Sequence, residues 1–275
     1  MKEFFYNLIP GFLKIGYYKL RGKRPWSLGY TTFKFKLLKE AIYDEELISA
    51  FGNSKSLPEK YGYSLDERII EYPWILSRLP RENINLLDAG SALNKKEILN
   101  HPVFRNKQIT IVNLNPEPNC FWEKNISYVF EDIRQTSFKD NHFNCISCIS
   151  TLEHVGMDNF IYTKDLKHRE ERVFDFEKAV IELKRVLKKN GKLLITVPFG
   201  KYQNFKWFQQ FDSKFVKIII HAFRPQRYSV NYYKYSKKGW DISNEKASAD
   251  VKYAKNADAD HAAASRAIAC IELIK

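Results

Sequence analysis

The run Leu183–Gly200, LKRVLKKNGKLLITVPFG, constrains the fold more than any other stretch of the chain. It reads as the end of a helix, a tight turn at Asn190-Gly191 and a strand closing at Val197-Pro198. Lysines before the turn complement the negative end of a helix dipole. Gly191 suits the left-handed position just past a helix C-terminus. The unbroken apolar run Leu193–Val197 has the pattern of a strand buried on both faces, the habit of parallel sheets. A helix feeding such a strand is half of a βαβ unit. In open sheets of that kind, ligands bind at the C-terminal edge of the strands.

The same grammar recurs upstream. Ile84–Asp88 (INLLD) is a short apolar strand ending in a carboxylate and followed by Ala89-Gly90-Ser91. Gln108–Leu114 (QITIVNL) and Phe143–Ser150 (FNCISCIS) read as further strands, and Arg227–Tyr235 and Ala267–Ile274 as the last two. Strands alternating with helical or loop segments describe a doubly wound α/β domain over residues 81–275. Residues 1–80 read as a helical extension, with helix-period apolar positions in Phe33–Phe51 and Leu65–Leu79. Pro73 is expected to kink or bound the second of these. Residues 157–171 read as a polar loop and 241–266 as a long polar insertion.

At 275 residues the chain can bury a full core. Its 44% hydrophobic and 15% aromatic content is that of a globular protein. No apolar run reaches the roughly 18 residues of a membrane span, and the N-terminus lacks a signal peptide's apolar core. Four cysteines make no disulfide framework. Cys145 and Cys148 have redox or metal spacing but fall inside an apolar strand, which favours a structural role. A cytoplasmic location is expected. Of the net charge of +13, +7 falls in residues 1–40, with nine Lys/Arg against two Glu. Phe4, Phe5, Leu8, Ile9, Phe12 and Leu13 interleave with that charge at helical spacing. Such a segment either lies on an anionic bilayer or packs on its own domain. No recognition motif for nucleic acid accompanies the charge.

Taken together, these segments resemble the class I S-adenosylmethionine-dependent methyltransferases. LLDAGS resembles their first motif, EDIRQ their acidic position facing the adenine, and FNCISCISTLEHVG their fourth strand and its loop. LKRVLKKNGKLLITVP resembles their fifth-strand segment. The resemblance covers Ile84–Phe199. It implies a mostly parallel, seven-stranded Rossmann-like sheet whose last two strands are antiparallel, with S-adenosylmethionine as cofactor. The segments LDERIIEYPWILSRL, STLEHVGMDNF and RAIACIEL also resemble methyltransferase-like proteins of bacterial surface-polysaccharide clusters. That implies a sugar or glycan acceptor.

Carried onto this sequence, the cofactor would meet Asp88, Gly90, Ser91, Asn113, Asp132 and Ile133. Asp88 either orients the glycine turn and accepts from the cofactor's ammonium group or caps a helix. Ala92 stands where the family has a second glycine. Asn113 stands where the family has the acid that holds the ribose hydroxyls, and Asn115 is a neighbouring candidate. Asp132 either accepts from the adenine amino group or is a solvated carboxylate. Glu153 and His154, just past the fourth strand, either serve acceptor deprotonation or cap and orient the loop. Ser150 replaces the first acid of an E-x-x-E-H metal loop, so no metal is expected. The aromatic residues of 201–226, with Gln203, Asn204, Gln209, Gln210 and Asp212, suit a polar ring with one apolar face. Two other functions compete with a glycan O-methyltransferase. One is a small-molecule or quinone/lipid methyltransferase. The other is a non-catalytic scaffold of the same fold, which Ala92 and Asn113 keep open. A nicotinamide-dependent enzyme is disfavoured, since no G-x-G-x-x-G follows the first strand.

Overall fold

In the computed structural model, which describes residues 9–255 and 258–275, the apolar runs pair into one eight-stranded sheet. Its strands are β1 (Ile84–Ala89), β2 (Lys107–Asn113), β3 (Ile126–Phe130), β4 (Phe143–Ile149), β5 (Leu187–Pro198), β8 (Arg227–Ser236), β9 (Gly239–Ser243) and β10 (Ala267–Ile274). The spatial order is β3-β2-β1-β4-β5-β10-β8-β9. β1 to β5 are parallel, whereas β10, β8 and β9 run antiparallel to their neighbours. A two-stranded hairpin, β6 (Gln203–Asn204) and β7 (Gln209–Gln210), stands apart.

The sheet therefore has one strand more than the seven expected. The extra strand, β9, returns from β8 through a short turn and runs into the stretch 241–266 that read as a polar insertion. Its sequence GWDIS is too short to announce itself. Trp240 secures it: the ring is buried and its indole N–H donates to the Leu65 carbonyl at 3.0 Å. The turn before β5 also differs. The preceding helix, Phe176–Val186, passes directly into β5, and Asn190 rather than Gly191 takes the left-handed backbone (φ 62°). The irregularity lets Asn190 and Gly191 bond the C-terminal residue. Asn190 N–H donates to the Lys275 carbonyl at 2.8 Å, and Lys275 N–H donates to Gly191 O at 3.1 Å. Glycine is still needed at 191, where a Cβ would lie 2.7 Å from the Lys188 carbonyl oxygen.

The N-terminal segment forms α1 (Gly11–Leu20), α2 (Tyr30–Tyr43), α3 (Glu45–Gly52) and α4 (Arg68–Leu76). The single periodic run Phe33–Phe51 is broken at Asp44, whose carboxylate accepts from Leu47 N–H at 2.9 Å and starts a new helix. Phe33, Leu38, Phe51 and Trp74 share one core with Leu86, Ile111, Leu194 and Cys270 on one sheet face. α5 (Phe176–Val186) and α6 (Ser213–Phe223) cover the other face, against Leu87, Ile146, Ile195 and Ile271. The result is a three-layer, doubly wound α/β fold. Cys145 and Cys148 are buried in β4, where burial pushes the Cys145 thiol up to about 12 and the Cys148 thiol well above its ordinary range. Phe4, Phe5 and Leu8 lie outside the described residues.

Pro73 sits inside α4 without ending it. A proline has no N–H to give the carbonyl four residues back, here Ile69. The Tyr61 hydroxyl fills that vacancy, donating to Ile69 O at 2.7 Å. Tyr61→Phe should therefore destabilise the fold by about 1–3 kcal/mol, the cost of stranding a buried acceptor. The loss should shrink when Pro73→Ala restores an N–H. Chemical denaturation of the two single variants and the double variant measures this; an equal loss in both backgrounds would contradict the assignment.

Candidate active site

The strand order sets the loops after β3, β2, β1 and β4 side by side at one edge of the sheet. A cavity of about 400 Å³ opens there. Asp132 and Ile133 line it behind β3, Asn113 to Pro118 behind β2, Gly90 behind β1, and Ser150, Thr151 and His154 behind β4. Of the residues singled out from sequence, Gly90, Asn113, Asp132, Ile133 and His154 thus meet in one wall. Asp88, Ser91 and Glu153 stand behind it.

Asp88 is fully buried and holds the turn. Its carboxylate accepts from Leu93 N–H at 2.8 Å and from the Ser147 hydroxyl at 3.0 Å. Burial pushes its carboxyl up to about 7. Its contacts orient the loop and make no direct approach to the cavity. Gly90 has φ +99°, and a Cβ there would fall 2.1 Å from Thr151 Oγ1, so only glycine lets the two loops close together. Ser91 is also left-handed, at φ 61°, and its buried hydroxyl has no partner. Ala92 is buried outside the cavity wall, with its carbonyl accepting from the Tyr72 hydroxyl at 2.7 Å. Its methyl does not narrow the pocket.

At the end of β2, the Asn113 amide donates to Glu117 Oε1 at 2.7 Å and to Asn115 O at 3.2 Å. Its own oxygen accepts from Leu114 N–H at 3.0 Å. Glu117 was not singled out from sequence, yet it brings a carboxylate into the wall four residues beyond Asn113. At the end of β3, Asp132 is gripped by Arg134, whose Nε lies 3.1 and 3.0 Å from the two carboxylate oxygens. Burial works to raise that carboxyl, but the Arg134 hydrogen bonds prevail and hold it below the usual range. Arg134 also pairs with Glu170 at 2.8 Å and Asp175 at 2.7 Å, which ties down the polar loop; Glu170 and His168 of that loop line the cavity.

At the end of β4, the groups that sequence missed are Arg68 and Glu71 of α4. Glu71 has no exposed surface. Its Oε1 accepts from the Ser150 hydroxyl at 2.5 Å and the Thr196 hydroxyl at 2.7 Å, and its Oε2 from Arg68 at 2.7 Å. Arg68 lines the cavity. Glu153 is buried with one oxygen unpaired, and burial pushes its carboxyl well up, with Glu71 adding like charge. His154 Nδ1 lies 2.9 Å from the Trp207 carbonyl. A carbonyl can only accept, so Nδ1 carries the proton and Nε2 the lone pair. Burial pushes the imidazole down to about 4, so it is neutral at pH 7. Its ring packs 5.6 Å from Tyr162 and 5.4 Å from Trp207. Among the described residues no three His, Cys, Asp or Glu side chains are grouped to hold a metal.

The polar set expected around an acceptor ring is used elsewhere. Gln209 donates to Val173 O and Gln210 to Lys201 O and Val251 O, while Asn204 accepts from Lys206 N–H. Gln203 accepts from Tyr253 N–H, and Asp212 caps α6. None of them lines the cavity. The backbone of an irregular hairpin needs partners that a sheet would otherwise supply.

Residues 89–195 match the family model described as a methyltransferase domain. The matched segment contributes Gly90, Asn113, Asp132 and His154 to the cavity wall. Similar solved structures include a SAM-dependent methyltransferase from Thermotoga maritima, at 12% identity and TM-score 0.46, covering 88% of this chain and 99% of that one. Another is the 1,6-didemethyltoxoflavin-N1-methyltransferase of Burkholderia thailandensis with bound S-adenosylhomocysteine, at 11% identity and TM-score 0.44, covering 70% of this chain and 72% of that one. No curated protein matches the chain.

The Asn113–Glu117 bond carries a test. Asn113→Asp would set two carboxylates against each other at a hydrogen-bond distance. It should lower stability by roughly 1 kcal/mol, the scale of a partly exposed charge contact, and Glu117→Gln in the same chain should recover the loss. Thermal melting of the three variants decides; a single variant as stable as the parent would show that the bond carries no weight.

Proposed function

We propose that the protein is an S-adenosylmethionine-dependent methyltransferase acting on a hydroxyl of a sugar or glycan. The observation that carries the cofactor reading is the order of groups along the cavity. Asp132 and Ile133 stand where an adenine would lie, Asn113 and Glu117 where ribose hydroxyls would donate, and Gly90 where the chain must pass close to the backbone. Ser91, with its unpaired buried hydroxyl, fits the same role. When bound, the cofactor supplies an electrophilic sulfonium methyl. His154 adds a neutral imidazole whose Nε2 can take the proton of an acceptor hydroxyl. The Trp207 carbonyl and the Tyr162 and Trp207 rings hold the His154 ring in one orientation. The rings of Tyr162, His154 and Trp207 support a sugar-like acceptor, since they offer apolar faces beside polar groups.

Calorimetric titration with S-adenosylmethionine and S-adenosylhomocysteine tests the cofactor reading, and absence of binding in folded protein would overturn it. His154→Ala should keep cofactor affinity and lower turnover by about 10²–10⁴, the usual contribution of a positioned base. Turnover unchanged in a stable variant would leave positioning as the catalytic device.

We also infer peripheral contact with an anionic membrane. The stretch Ile9 to Lys39 has eight Lys/Arg and no Asp or Glu. Its first helix leaves Phe12 71% and Leu20 89% exposed, and Trp26 beyond it is 55% exposed. Exposed apolar side chains set among cations match an acidic lipid surface. No described helix is long and apolar enough to cross a membrane. Sedimentation with vesicles containing anionic lipid should pull down the protein at low salt, and Phe12→Ser with Leu20→Ser should weaken the effect several-fold. Equal partitioning of parent and variant would count against the surface.

A further inference from the structure

We infer that Arg68 anchors a ligand carboxylate at the β4 end of the cavity, and that this carboxylate is the one on the methionine half of the cofactor. The inference rests on the methyltransferase reading and extends it beyond the matched domain, because Arg68 precedes residue 89. The sheet order supplies the direction. A ligand whose adenine lies at Asp132 and whose ribose lies at Asn113 and Glu117 runs from β3 across β2 to β1 and β4. Three inter-strand steps span roughly 14 Å, so its far end falls beside Gly90, Ser150 and Thr151. That is where Arg68 enters the wall.

The cation is well placed for this. Two arginines line the cavity, and the other one, Arg134, is committed to Asp132, Glu170 and Asp175. Arg68 meets Glu71 through a single nitrogen, Nη1, at 2.7 Å. A guanidinium has five donors in a planar fork, so one such bond leaves donors for a second carboxylate. Glu71 is itself pinned by Ser150 and Thr196, which fixes the fork before any ligand arrives. Two further carboxyls stand near. Glu67 is pushed up to about 8 by burial and by neighbouring Asp66 and Glu71, and Glu153 is pushed well up by its own burial. Burial thus shifts both toward their neutral forms, which weakens their opposition to an incoming anion.

The probes are S-adenosylhomocysteine and 5′-methylthioadenosine, which share adenine, ribose and thioether but differ in the amino-acid end. Binding of each is measured by calorimetry on the full chain, on Arg68→Gln and on Arg68→Lys. Arg68→Gln should lose roughly ten- to hundredfold in affinity for S-adenosylhomocysteine, the scale of a charged hydrogen bond. Its affinity for 5′-methylthioadenosine should stay within about threefold. Arg68→Lys keeps the charge beside Glu71 and guards against a folding defect. It should bind S-adenosylhomocysteine with intermediate affinity, since an ammonium cannot form the fork. Equal losses for both ligands would mean that Arg68 acts only through the fold. No loss for S-adenosylhomocysteine would mean that its carboxylate is held elsewhere. Either result overturns the inference while leaving the cofactor reading intact, whereas a parent protein that binds neither ligand overturns both.

Discussion

Glu71 accepts hydrogen bonds from Arg68, Ser150 and Thr196 while exposing no surface to water. A carboxylate so deeply buried is tolerated only when charge and hydrogen bonds answer it on all sides. The three donors come from α4, the end of β4 and the body of β5, so one side chain joins the N-terminal helices to the edge of the sheet where the cavity opens. Breaking a buried pair of this kind costs about 3–5 kcal/mol, a large share of the about 5–15 kcal/mol that holds a domain together. The place of Arg68 in the cavity wall, and the turn at Ser150 with its left-handed backbone, both follow from where Glu71 is fixed.

The same corner holds more acids than bases, and burial shifts three of the acids toward their neutral forms. Burial raises the carboxyls of Glu67, Glu153 and Asp88, the last to about 7. Asp66 is answered by Lys34 at 2.7 Å and Glu71 by Arg68. The sign of the coupling to stability follows. An acid whose folded value lies above its unfolded one supports the fold fully below the unfolded value, near 4, and that support is lost as pH rises through the folded one. For Asp88 and Glu67 that window runs from about 4 to about 7 and 8. Within it, loss of a buried proton leaves a charge with few partners.

Legibility followed the range of the interactions involved. β10 occupies Ala267–Ile274, as its apolar run implied, and β1, β2 and β4 fall within a residue or so of the runs that marked them. In β1, β4 and β10 burial on both faces writes itself into consecutive residues. That Pro73 does not end its helix could not be read locally, because the Tyr61 hydroxyl that answers the Ile69 carbonyl comes from a separate turn. β9 was hidden for a similar reason, since its one buried anchor, Trp240, takes its partner from Leu65. Arg68, Glu71 and Glu117 carry no local signature at all. They become a site only when α4 is laid across the sheet and when Asn113 turns its amide toward Glu117. Gln209 and Gln210 show the converse, as polar side chains that looked available but serve backbone groups.

The two departures that kept a non-catalytic scaffold in view lose their force for separate physical reasons. Ala92 would matter if its methyl intruded on the cofactor's path. It is buried outside the cavity wall, and only its carbonyl is engaged, by Tyr72. Asn113 would matter if the end of β2 lacked negative charge. It donates to Glu117 instead, so the asparagine serves as the bracket for an acid that arrives from the next turn. An aspartate at 113 would repel that acid, so the amide and the shifted carboxylate make sense only together. The feature that looks like a loss in the linear sequence is therefore one half of a pair, and the wall it helps to build keeps a carboxylate at the end of β2.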